Sequence, residues 1–261
     1  MPFTGSHPAA VLPLIGIGLA PSALVIGSMS PDFPYFAPGP FDSTFTHSLV
    51  GVVTADVVLS LVAYVVWHAL LAPAGLAVAP QSLRRRLPPD AAPGLRRRVA
   101  SPRLVLLVAV ACAVGALTHV LWDSFTHEGR WGARHVPWLN EQHGALPGYL
   151  WAQYASGVIG AAILTVWLVR WWRSTPHAPT DKHVPVSALV AVAVVAVATL
   201  VGALTGALPA LTEEDGPDVH SAVFDAITRG GTAAGLAVVV VAAAILVRKR
   251  RSGTPVQGPL G

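Results

Sequence analysis

Apolar stretches of bilayer length dominate this chain. A hydrocarbon core needs about 20 mostly apolar residues per helical crossing, and the stretches at roughly 48–71, 104–126, 151–172, 185–209 and 222–247 meet that length. Composition agrees: 53% of the 261 residues are hydrophobic and 11% are charged, whereas a soluble domain carries roughly 25% charged residues. The expected fold is all-α, a polytopic transmembrane helix bundle that forms one membrane-embedded domain over 1–251. Residues 252–261 are expected to be a disordered cytoplasmic tail. The segment 8–29 is also apolar, but Pro13 and the Ala20-Pro21-Ser22 break divide it. Each piece is too short to cross at about 1.5 Å per residue, so the segment reads as an N-terminal helical hairpin that enters and returns. It does not read as a secretory leader, because no basic residue precedes Arg84.

The arginines orient the spans. Arg84, Arg85, Arg86, Arg96, Arg97, Arg98 and Arg103 fill one connection, Arg170, Arg173 and Lys182 surround another, and Arg248 to Arg251 follow the last span. Basic residues concentrate on the cytoplasmic side, so the C-terminus is expected there, in a multi-pass protein of the plasma (inner) membrane. The opposite connections hold few basic residues, and one carries Glu213, Glu214, Asp215 and Asp218. With five crossings the chain then starts outside, where Met1 to Ser6 are uncharged. The arginine runs are split by Pro88-Pro89 and Pro93-Gly94 and read as a lipid-facing loop, with no nucleic-acid partner implied.

This orientation gathers polar groups at the outer end of the bundle. His119, Asp123 and His127 recur every four residues, which places them along one face of a helix. Imidazole and carboxylate are the usual ligands of zinc and related ions, and His-x-x-x-Asp sets two of them one turn apart. The plainer reading is interhelical hydrogen bonding by costly intramembrane groups. Asp32 lies in Ser30-Pro31-Asp32-Phe33-Pro34, either aimed by its prolines or an ordinary turn aspartate. His47 lies between Thr46 and Ser48, either a ligand or part of a helix N-cap. His7 precedes Pro8 and is either a ligand or exposed.

Other residues read as structural. Asp56 falls nine positions after His47, about 180° around a continuous helix, too far to share a metal with it. His135 and His143 belong to an outer connection that could cover the site, and His68, His177 and His183 are given no role. Trp122, Trp131, Trp138 and Trp151 fit an interfacial aromatic belt. Gly202-x-x-x-Gly206 and Gly231-x-x-x-Gly235 suit close helix packing, Asp225 and Arg229 are spaced to pair, and the single cysteine, Cys112, reads as a small core residue.

The opening Met1-Pro2-Phe3-Thr4-Gly5-Ser6-His7-Pro8-Ala9-Ala10-Val11, the Gly27-Ser28-Met29-Ser30-Pro31-Asp32 turn, Thr46-His47-Ser48-Leu49 and the Thr-His-x-x-x-Asp-x-x-x-His run at 118–127 resemble an uncharacterised bacterial integral membrane family, a domain of unknown function. That family is similar to predicted membrane-bound metal-dependent hydrolases, and the order of His and Asp is remotely similar to that of zinc-dependent phospholipase C, an all-helical enzyme with a zinc cluster in a cleft. The resemblance implies His7, Asp32, His47, His119, Asp123 and His127 as metal ligands. It departs from the phospholipase pattern after His127, where no His-x-x-x-Glu pair follows and Gln153 is the nearest polar substitute. One or two ions, zinc or another divalent transition metal, are therefore expected in place of three.

The function that follows is metal-assisted hydrolysis at the outer membrane–water boundary, with Asp32 as bridging ligand or general base and a membrane lipid or lipid-linked phosphoester as substrate. A structural metal or hydrogen-bonded His/Asp cluster is the alternative, and an ion-coupled transporter is third, since Asp56 alone lies deep in a span.

Overall fold

The computed structural model describes residues 4–37, 39–87, 94–177, 187–213 and 216–251. The expected tail 252–261, together with Pro88, Pro89, Pro93, Lys182, His183, Glu214 and Asp215, lies outside them. The architecture is an all-helical, multi-pass bundle with one two-stranded ribbon among the described residues. Among the described residues five helices are long and apolar enough to cross a membrane: Ala55–Val78, Pro102–His135, Gly148–Ser174, Ala188–Leu211 and Val219–Arg251. The chain divides into two compact units, Met1–Tyr64 with Ser101–Ser174, and Val65–Ala100 with Thr175–Gly261.

The first unit begins with broken helix. A 3-10 turn at Thr4–Ser6 leads into α1 (Pro8–Val11), and a second turn over Leu12–Leu14 ends it. Gly16 and Gly18 then take φ of 103° and 90°, a region that costs a glycine nothing, and α2 (Pro21–Gly27) runs from there. The apolar 8–29 segment is thus two short pieces folded against each other. A 3-10 turn carries Ser30–Asp32, followed by α3 (Phe33–Phe36) and α4 (Ser43–Thr46).

The next span starts later than its apolar pattern suggests. The Ser48 hydroxyl accepts the Gly51 N–H at 3.0 Å and caps α5 (Leu49–Val53). Thr54 then leaves the helix at φ −123° and ψ −85°, with its hydroxyl donating back to the Val50 carbonyl at 2.6 Å. Hydroxyls that satisfy nearby backbone groups compete with helix continuation. The uninterrupted helix therefore begins with α6 (Ala55–Val66), and the crossing covers Ala55–Val78 where 48–71 was expected. Its continuation, a π-helical turn at Trp67–Leu71 and α7 (Ala72–Val78), belongs to the second unit, as do α8 (Gln81–Arg84) and α9 (Leu95–Arg98).

The first unit resumes with the long helix α10 (Pro102–Thr126), which starts on a proline behind the Ser101 cap. Short helices α11 (Trp131–His135) and α12 (Pro137–Asn140) and the ribbon β1 (Gln142–His143) with β2 (Leu146–Pro147) lead to α13 (Gly148–Ser174). In the second unit α14 (Ser187–Leu211) and α15 (Val219–Arg251) pack along their lengths. A Cβ on Gly206 would collide with the Asp225 carbonyl and one on Gly202 would lie 2.6 Å from the Arg229 carbonyl. The Arg229 guanidinium reaches the Thr205 carbonyl at 3.5 Å, a partner on the facing helix where Asp225 was expected.

One crossing positions everything that follows. Where α2 meets α10, a Cβ on Gly27 would run into the Cys112 carbonyl, and one on Gly115 into the Leu24 carbonyl. Two glycines facing each other's backbones permit an approach that larger residues forbid. His119 sits one turn beyond Gly115, so the same approach brings the Ser28 carbonyl to its ring.

Candidate metal centre

His119 and Asp123 project from α10 at successive turns, and both are buried. The Ser28 carbonyl, 2.8 Å from His119 Nδ1, can only accept a hydrogen bond, so Nδ1 carries the proton and Nε2 presents its lone pair inward. His47 repeats the device. Its Nδ1 donates to the Ser43 carbonyl at 2.7 Å, and the Thr46 hydroxyl, donating to the Pro31 carbonyl at 2.8 Å, ties the ring's segment to the turn that carries Asp32. His47 is the last residue before the Ser48 cap, so capping and a ring turned inward coexist. A second-ring hydrogen bond that fixes the tautomer is the usual support of a metal-bound imidazole.

The two lone pairs meet two carboxylates. His47 Nε2 lies 3.4 Å from Asp32 Oδ1 and 3.4 Å from Asp123 Oδ2; His119 Nε2 lies 3.5 Å from Asp32 Oδ1 and 3.4 Å from Asp123 Oδ2. These spacings exceed the hydrogen-bond range of about 2.7–3.2 Å. They match the edge of a tetrahedron, about 3.3–3.4 Å when ligands stand about 2.0–2.1 Å from the ion. Asp32 Oδ1 and His119 Nε2 are buried without a hydrogen-bond partner, an arrangement that either a proton on the imidazole or a cation between the two would relieve. Asp32, His47, His119 and Asp123 could hold a metal ion, each giving one ligand atom, with these atoms within 4.8 Å of one another.

The other two expected ligands stand beside this group. His7 Nε2 lies 3.6 Å from Asp123 Oδ1, and its ring stacks on His119 at 3.7 Å. His127 Nδ1 lies 3.4 Å from Asp123 Oδ2, although His127 is not the third rung of a helix. It follows the last turn of α10 with φ −127° and ψ 142°. Its Nε2 is 2.8 Å from the Gln153 side-chain nitrogen of α13. As oriented, the amide donates to Nε2 and leaves the ring proton on Nδ1; exchanging the amide's end atoms would turn the Nδ1 lone pair inward.

Electrostatics outside the spans follow from this packing. Burial and the neighbouring His119 lower the His7 pKa to about 4, so its ring is neutral at neutral pH. Burial alone would lower His47, but its contacts with Asp123 and Asp32 win and raise it. Burial would raise Asp32, yet the facing imidazoles of His119 and His47 hold it well below the usual carboxylate range. Thr4 adds a 2.5 Å hydrogen bond to Asp32 Oδ2. Thr4 was not among the expected residues, and its only signal was a hydroxyl three positions before His7.

Asp56 is not one of the four. The Ser48 cap and the Thr54 break remove the continuous helix on which its angle from His47 was reckoned, and its fully buried carboxylate has no hydrogen-bond partner. His135 and His143 lie in the connection between α10 and α13, bonded to the Trp131 and Trp138 carbonyls at 2.7 Å each.

Fold and site define a multi-pass membrane protein with a buried His/Asp cluster able to bind a metal. The chain belongs to the family described as Domain of unknown function (DUF4184), which matches residues 1–244. No curated protein and no solved structure matches the chain.

Proposed function

We propose that this protein is a membrane-bound metal-dependent hydrolase of the bacterial inner membrane, acting at its outer boundary on a lipid or lipid-linked phosphoester. The observation that carries the reading is the set of four tetrahedral-edge spacings between two tautomer-fixed imidazoles and two carboxylates. Zinc is the first candidate for such a nitrogen and oxygen set. A bound divalent ion would supply Lewis-acid activation of water and stabilisation of developing charge.

The chain's own residues provide the rest. A small cleft bordered by Thr4, Ser6, His7, His127 and Gln153 reaches two of the four ligands, Asp32 and Asp123, with room for a water beside them. Asp32 is the carboxylate proposed to bridge or to accept a proton at Oδ1, while Thr4 holds Oδ2 in place. Neutral His7 is available at the cleft to accept a proton or add a ligand. The arginine distribution supports an outward-facing site and a cytoplasmic C-terminus.

A structural metal site is the second reading, favoured by the fact that four protein ligands suffice to close a tetrahedron. Purified protein assayed for bound metal and for turnover of phospholipid in liposomes separates the two. Metal retention with chelator-sensitive, metal-restored hydrolysis is expected. Retained metal with every lipid phosphoester and acyl ester left intact would establish the structural site instead.

A further inference from the structure

We propose that the substrate reaches this site sideways from the lipid, through a portal between α10 and α13 that the Trp122–Ser156 hydrogen bond closes. The inference rests on the hydrolase reading for its purpose but on separate observations for its geometry.

The cleft beside the His/Asp cluster does not end at the ligands. Its wall includes Trp122 and Thr126 on α10 and Gln153, Ser156 and Gly157 on α13. Both helices are among those long and apolar enough to cross a membrane, so the proposed opening between them would face acyl chains. On the same two helices Leu121 is 60% exposed and Val158 is 64% exposed, apolar surface suited to a lipid tail. The floor is glycine. Gly157 lines the cleft without a side chain to fill it, while one turn away the N-terminal segment rests on Gly160, whose added Cβ would stand 3.0 Å from Ser6 Cβ.

Depth fits the same reading. At about 1.5 Å per residue, Trp122 lies about 6 Å before the end of α10 and Ser156 about 12 Å into α13. The polar interfacial layer is about 5–8 Å thick on each side of the hydrocarbon core. A portal at this level faces the junction of headgroup and acyl chain, the part of a phospholipid that holds its phosphoester.

The closure is light. The Trp122 indole N–H donates to the Ser156 hydroxyl at 3.2 Å across the two helices, and the indole is 48% exposed. One such bond is worth about 1 kcal/mol net. Ser156 already donates to the Gln153 carbonyl at 3.1 Å, so its proton stays satisfied when the indole swings away, and interfacial lipid offers the indole other acceptors. The occupant is therefore an amphiphile with a phosphate headgroup directed at His7 and His127 and a tail lying between Leu121 and Val158.

The test uses full-length protein in nanodiscs of a phosphatidylglycerol carrying a photoactivatable diazirine near the glycerol, with cross-links mapped by mass spectrometry and bound zinc measured in parallel. Wild type should label on Trp122, Thr126 or Ser156. Gly157→Leu should reduce that labelling about tenfold while keeping its zinc, since a side chain then occupies the floor. Trp122→Phe, which keeps a ring but loses the donor, should raise it. If Gly157→Leu loses zinc and so fails as a folded variant, Ser156→Ile at the mouth takes its place with the same expectation. Labelling confined to other faces, equal labelling in the filled variant, or labelling at these positions only by a soluble glycerophosphate probe would overturn the portal. None of these readouts needs turnover, so an absence of hydrolysis would count against the enzymatic reading and leave the portal result standing.

Discussion

The two units of this protein solve the membrane problem in opposite ways. In the second, α14 and α15 meet through Gly202, Gly206 and Gly230, and the most apolar window of α14 has no buried residue. Its surface is made for lipid and its interior is mostly small side chains. The first unit is assembled from short, broken helices around hydroxyls, imidazoles and carboxylates. Among the described residues, the buried polar side chains all belong to it except His68 and Thr228. Hydrophobicity explains why both units enter a membrane; only the arrangement of costly polar groups marks where chemistry resides.

The sharpest test of that contrast removes ligands. His119→Ala or Asp123→Ala should weaken zinc binding by more than about 100-fold, beyond the range usual for supporting residues. His68→Ala, an equally buried histidine of the second unit, should leave zinc content unchanged by elemental analysis. Glycine substitutions break the comparison differently. Gly115→Leu and Gly206→Leu should each cost at least about 1–3 kcal/mol of stability through overpacking, read as a lowered melting temperature in detergent. Gly115→Leu should also lose the metal, because Ser28 can no longer reach His119, whereas Gly206→Leu should keep it.

Supporting residues come next. Gln153→Ala should weaken metal affinity by about 10-fold if His127 contributes to the site, and an unchanged affinity would confine the ion to the other four residues. Proton linkage is of similar size. The raised pKa of His47 means that a proton competes with a cation for its Nε2 more strongly than at an ordinary imidazole. Apparent affinity should therefore fall about tenfold per pH unit below that pKa and level off above it, with calorimetry in buffers of different ionisation enthalpy registering the released proton. The smallest effect expected is from Thr4→Val, a few-fold loss through a looser Asp32, since its hydrogen bond is worth about 1 kcal/mol.

Much of this was legible in the residues and some was not. Five candidate crossings follow from apolar length, and the grouping of His7, Asp32, His47, His119, Asp123 and His127 was expected from the end of the bundle to which each segment leads and from the family resemblance. What spacing could not convey was backbone proximity. Nothing in the period of α10 marks Gly115 as the point where α2 lies on it, yet that contact aims His119. The continuous helix of the first candidate span begins seven residues after position 48, because the hydroxyls of Ser48 and Thr54, which interrupt it, weigh little in a hydropathy reading. His127 was assigned to a helical row it leaves by one residue, and it reaches Asp123 by an extended turn.

The crossing of Gly27 and Gly115 also sets an order of biogenesis. α2 has seven residues, too few for an isolated helix to persist, and its partner surface is synthesised long after it. Until α10 is inserted, His119 and Asp123 are missing, and Asp32 and His47 have only water and their own turns for company. The centre is thus a late seam that joins an early segment to a later one. A cation bound at such a seam would act as a clasp, favouring the joined shape over the open one.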